Sequence, residues 1–86
     1  MPEVCRFFGI VIAMYYNDHA PPHFHARYGR QRAIVAIESL TVLAGRLQPR
    51  TLGLVMEWAA MHQPELMEDW TLARDQATLK PIAPLE

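Results

Sequence analysis

The sequence has a single cysteine, Cys5, so no disulfide within the chain can staple it, and a lone thiol fits a reducing compartment. Glycine is also scarce. Gly9, Gly29, Gly45 and Gly53 stand apart from one another, which excludes a glycine-rich phosphate loop. Serine occurs once, at Ser39, with no nucleophile motif around it. Neither sign of charge dominates: eight basic and nine acidic residues leave a net charge of −1, so no general basic field gathers nucleic acid. No apolar run approaches the roughly 20 residues of a membrane helix. No basic-then-apolar stretch opens the chain, and a cytoplasmic protein is expected.

Apolar residues, in contrast, are plentiful. They make up 51% of the 86 residues, too many for a disordered chain. A chain of this length is read as one domain, residues 1–86. Domains this small bury only about 60% of their unfolded surface, so a partner or ligand adds materially to stability.

The first half is rich in β-branched and aromatic residues and the second half has helical periodicity, which predicts an α+β fold. Phe7 to Tyr16 is almost wholly apolar and reads as one strand covered on both faces. Asn17 to Pro22 breaks it with turn formers and a proline pair. His23 to Tyr28 resumes as a strand, with Phe24, Ala26 and Tyr28 on one face and His23, His25 and Arg27 on the other. Gly29-Arg30 reads as a hairpin turn. Arg32 to Glu38 carries Ala33, Val35 and Ile37 as its apolar set, and a short fourth strand over Thr41 to Leu43 ends at Gly45.

Pro49 suits the first turn of a helix. Leu52, Val55, Met56 and Ala59 follow at helical spacing, with Leu54, Trp58 and Met61 as a second stripe. Gln63-Pro64 separates this helix from the next, which carries Leu66, Trp70, Ala73 and Ala77. Arg74, one turn beyond Trp70, is expected on its ring. The prediction is an antiparallel meander of three to four strands (about 6–44) and two helices (about 49–62 and 64–78) packed on one sheet face, then an extended tail (79–86). The other sheet face, with His23, His25, Arg27, Ile34 and Ala36, has nothing left in the chain to cover it. Such a patch usually marks an interaction site.

Three of the four histidines, His19, His23 and His25, fall within seven positions. Alternation places His23 and His25 on one strand face, roughly 7 Å apart at Cα. The blander reading is that His19 caps the turn while His23 and His25 hydrogen-bond backbone or partner groups. A metal reading makes His19, His23 and His25 the ligands, with Asp18 as a substitute for His19 from the same loop. A catalytic reading has His23 and His25 move protons on RNA without metal while Arg27 holds phosphate. A fourth reading is pH-sensitive assembly, since protonating all four histidines carries the formal charge from −1 to +3. Cys5 is expected to be a small buried hydrophobe. Trp58 and Trp70 are expected to pack in the core. The helix pair is a poor helix-turn-helix, because Glu65, Glu68 and Asp69 at the start of its second helix repel DNA phosphates.

The run RFFGIVIAMYYNDHAPPHFHARYG (6–29) and the helical stretch EWAAMHQPELMEDW (57–70) resemble the bacterial family called domain of unknown function 4160. The resemblance covers roughly positions 5–80, and its motif falls on Asn17, Asp18, His19, Pro21, Pro22, His23, His25 and Tyr28. It departs at Leu40, where relatives often place glycine in the turn after the third strand. The resemblance implies no settled activity or catalytic residue. It implies a gene often standing beside one of the domain of unknown function 2442 type, in an arrangement like a type II toxin–antitoxin pair.

The expected function is therefore a small partner-binding protein, with the motif residues as its contact surface and a reading that leans against an enzyme. No cofactor is expected, with a divalent metal as the alternative. The expected partner is a small protein from a neighbouring gene, with a homodimer or RNA as alternatives, no membrane, and no DNA for this chain alone.

Overall fold

The computed structural model describes residues 2–86. The apolar run at 7–16 is not one strand. Phe8 and Gly9 both take positive φ, 49° and 80°, as a mirror-image two-residue hairpin turn requires. The chain reverses there, so β1 (Glu3–Phe7) pairs antiparallel with β2 (Ile10–Ala13), Phe7 opposite Ile10. Phenylalanine carries no turn signal, which is why periodicity runs straight through the reversal. The expectation of burial on both faces is met by β2 alone, where all four residues are buried.

β3 (His23–Tyr28), β4 (Gln31–Ala36) and β5 (Val42–Arg46) continue the meander. The sheet has five antiparallel strands in sequence order, more than the three to four predicted. Gly29, at φ 59°, makes the β3–β4 turn. Gly45 does not end the last strand but lies inside it. Its φ is 79°, and a Cβ there would run into the Arg32 carbonyl oxygen. Leu40 also sits in the left-handed region, at φ 53°, in the turn before β5. That conformation suits glycine, so the departure at this position leaves a strained leucine.

Two helices cover one sheet face: α1 (Pro49–Met61) and α2 (Gln63–Arg74). The second stops at Arg74 rather than near 78. His62 alone separates them, closing α1 with its N–H on the Ala59 carbonyl. Gln63 ties this junction to the end of the sheet, its Nε2 donating to the Ile37 carbonyl at 2.8 Å. Trp58 is fully buried between Phe7, at a ring distance of 5.4 Å, and Phe24, at 6.0 Å. Phe24, Ala26, Ala33, Val35 and Ile37 are buried as predicted, but Tyr28, at the hairpin end, is exposed. Met61 is exposed and Ala77 lies beyond the helix.

The extended tail belongs to the covering layer. Ile82 and Leu85 are buried, the Ile82 N–H donates to the Val4 carbonyl, and Trp58 Nε1–H donates to the Ala83 carbonyl at 2.8 Å. Asp69, on α2, accepts the Lys80 N–H at 2.8 Å and so pins the start of the tail. Cys5 is buried, and burial pushes its thiol pKa up, which suits an inert core residue.

Candidate functional site

The loop between β2 and β3 converges on Asp18. Asn17 enters it at φ 58° and accepts a hydrogen bond from Gln76 Nε2, which anchors the loop to the end of α2. The His19 N–H donates to Asp18 Oδ1 at 3.0 Å, an Asx-type contact that orients the carboxylate. Ala20–Pro21 is a cis peptide, and the Pro22 carbonyl accepts the Ile37 N–H. Tied to Gln76 and Ile37, the loop places Asp18 beside His23 and His25 at the start of β3.

Asp18 Oδ2 lies 2.8 Å from His23 Nε2 and 3.3 Å from His25 Nε2. His23 is buried, and its other nitrogen, Nδ1, lies 2.8 Å from the Pro21 carbonyl oxygen. A carbonyl only accepts, so Nδ1 carries a proton and donates it. The His23 ring packs on Trp70 at 5.1 Å, and the Tyr15 and His25 rings meet nearly at right angles at 4.4 Å. Trp70 takes His23 as a ring partner, and Arg74, expected on that ring, is exposed. The imidazoles of His23 and His25 are 5.3 Å apart.

Burial raises the Asp18 carboxyl pKa, but hydrogen bonds from His25, His23 and the His19 N–H outweigh it and hold the group below its ordinary value. His25 is also held below its ordinary value. Desolvation is the main cause and the nearby His23 adds to it, against the opposing hydrogen bond that His25 gives to Asp18 and the attraction of that carboxylate's charge.

His19 does not join this convergence. Its side chain is 95% exposed, with Nδ1 3.5 Å from the other carboxylate oxygen. Asp18, His23 and His25 are the three whose donor atoms lie within 4.8 Å of one another. The sequence offers Asp18 both as a motif residue and as an alternative to His19 for the third ligand, and it gives no sign of the contacts made by Tyr15, Trp70 and the Pro21 carbonyl. The signal for Asp18 was its place in the same tight loop. The other three contacts leave no local mark. The fourth histidine, His62, belongs to the helix junction, where Nδ1 contacts Glu65 at 2.9 Å.

His25 also borders the face that the helices leave bare. Register places Arg6, Val11, Arg27, Arg32 and Arg46 in one row across all five strands, each opposite the next. Residues directly opposite in an antiparallel pair share a face. The neighbouring row runs Glu3, Ala13, His25, Ile34 and Ala44. Between them lies a concavity of about 500 Å³ with a floor of Val11, Ala13, Ile34 and Ala44. Arg6 is ion-paired with Glu3 at 2.8 Å, whereas Arg27, Arg32 and Arg46 make no ion pair among the described residues.

The near-neutral total hides a division of charge. Residues 1–46 hold five arginines against Glu3, Asp18 and Glu38, a net of +2, while 47–86 hold three basic residues against six carboxylates, a net of −3. Beside the row, β5 is exposed along its whole length and is an edge of the sheet.

A family model described as Domain of unknown function (DUF4160) matches residues 9–71. The chain belongs to this family. The DUF4160 match takes in the whole Asp18 loop, the open face from β2 to β5 and nearly all of both helices, and it stops short of the tail. Comparison with curated proteins and with solved structures gives no match.

Proposed function

We propose that this protein is a small cytoplasmic partner-binding module, one member of a toxin–antitoxin-like pair, and that its open sheet face receives an acidic segment of the partner protein. The carrying observation is the row of Arg27, Arg32 and Arg46, without internal ion pairs, beside the bare edge of β5. Like charges set directly opposite in a sheet oppose folding. An acidic strand added beside β5 would satisfy the edge N–H and C=O groups and neutralise the row at once. The apolar floor supplies the burial that makes such an addition stable. No helix among the described residues is long and apolar enough to cross a membrane.

The test is co-purification with the product of the neighbouring gene, followed by titration of the separated chains. Wild type is expected to form a complex whose affinity falls as salt rises. Arg27→Glu/Arg32→Glu is expected to weaken it at least about tenfold, or roughly 1.4 kcal/mol. Equal affinity for wild type and this variant would overturn the placement. A complex with RNA in place of protein would overturn the choice of partner while keeping the surface.

A further inference from the structure

We propose that Asp18, His23 and His25 form a binding site for a divalent first-row transition metal, with a coordination position left open to solvent. This goes beyond the partner surface and does not depend on it.

Ligands around a tetrahedral ion with bonds of about 2.0–2.1 Å lie roughly 3.3 Å from one another. Here Asp18 Oδ2 stands 2.8 Å from one imidazole nitrogen and 3.3 Å from the other, and all three donor atoms fall within 4.8 Å. The two carboxylate contacts already match that spacing, so closing the set asks only that the two imidazole nitrogens draw together from a separation of no more than 4.8 Å. Two imidazoles and a carboxylate suit borderline cations such as Zn²⁺ or Co²⁺, where an all-oxygen site would suit Mg²⁺ or Ca²⁺.

The outer contacts point the same way. Metal-bound histidines commonly give their second ring N–H to a carbonyl or carboxylate, which fixes tautomer and ring plane. His23 does this already. Its Nδ1–H is held by the Pro21 carbonyl at 2.8 Å, so Nε2 faces the cluster, and the proton it gives to Asp18 is released when the ion takes its lone pair. Trp70 and Tyr15 pack on the two rings and hold them in place.

Three protein ligands leave a tetrahedral ion one free position. The His25 and Asp18 side chains are partly exposed, at 26% and 16%, and border a cavity of about 180 Å³ whose wall includes Leu43 of β5. Solvent or a donor from a bound molecule can reach the ion from there. A purely structural zinc site would be closed by a fourth protein ligand.

The experiment uses untagged full-length protein, stripped with chelator and titrated with Zn²⁺ by calorimetry and with Co²⁺ by visible absorption. The expected result is one ion per chain, Co²⁺ bands of four-coordinate intensity, and a rise in melting temperature with added Zn²⁺. Asp18→Asn keeps the shape of the side chain, and His25→Ala removes a partly exposed ring. Both are expected to stay folded by circular dichroism and to lose at least tenfold in Zn²⁺ affinity. His19→Ala is expected to bind as wild type does. Absence of stoichiometric binding by wild type at about 100 µM Zn²⁺ would overturn the site. So would unchanged affinity in folded His25→Ala, or a loss in His19→Ala equal to that in Asp18→Asn.

Discussion

The two faces of the sheet are built on opposite rules. The face under the helices is apolar and closed, with Phe24, Ala33 and Val35 beneath Trp58 and the tail drawn over β1. The other carries an arginine on four of the five strands in a single row above an apolar floor. One face is optimised for the fold of this chain alone. The other sets Arg27, Arg32 and Arg46 directly opposite one another in register, an arrangement that works against the fold of the chain taken alone.

The strongest way to break this contrast is through the covered face. Trp58→Ala removes the side chain that fills the space between Phe7, Phe24 and the tail, and is expected to cost about 3–5 kcal/mol in urea unfolding. A loss below about 1 kcal/mol would mean that the helical layer does not hold the fold.

A smaller effect comes from Asp69 in the covering layer. One carboxylate oxygen accepts the Lys80 N–H, and the other is buried without a partner among the described residues. Burial is the main cause that raises its pKa, the nearby Glu68 and Glu65 add to it, and the Lys80 N–H and ammonium oppose it. An acid with a raised folded-state pKa favours the fold when protonated. As pH climbs past the ordinary carboxylate value, the unfolded chain releases its proton first and stability falls, until the folded group has also ionised. Wild type is therefore expected to lose stability relative to Asp69→Asn from acidic towards neutral pH. A pH-independent difference between the two would remove this account.

The smallest expected effect sharpens the contrast from the open side. Arg32→Thr relieves the opposition with Arg27 and Arg46 and places a β-branched residue in the strand. It is expected to leave the isolated chain equal to wild type or up to about 0.5 kcal/mol more stable. A clear loss of stability would mean that the row serves this fold rather than a partner.

Much of this architecture was legible along the chain. Alternation in His23–Tyr28 and Arg32–Glu38 identified the residues that are buried at Phe24, Ala26, Ala33, Val35 and Ile37. Pro49 and Pro64 marked where both helices begin. The missed reversal in the apolar run has a local cause. Phe8 adopts positive φ, as Leu40 does before β5, and periodicity does not register a reversal made by an apolar residue. The tail read as merely extended because its anchors, Val4, Asp69 and Trp58, lie far from it in sequence.

By itself, the sequence determined the α+β class, the buried face of β3 and β4, the helix starts and the clustering of histidines, because each follows from periodicities of 2 and 3.6 or from local turn chemistry. His23 and Ala36, expected on the uncovered face, are nevertheless buried, His23 against Trp70. Tertiary structure alone decided that Asp18 rather than His19 meets His23 and His25, since a loop fixed at Pro22 and Gln76 sets which side chain turns inward. It alone aligned Arg6, Arg27, Arg32 and Arg46, because cross-strand register depends on the lengths of four turns and two bulges that no single segment encodes.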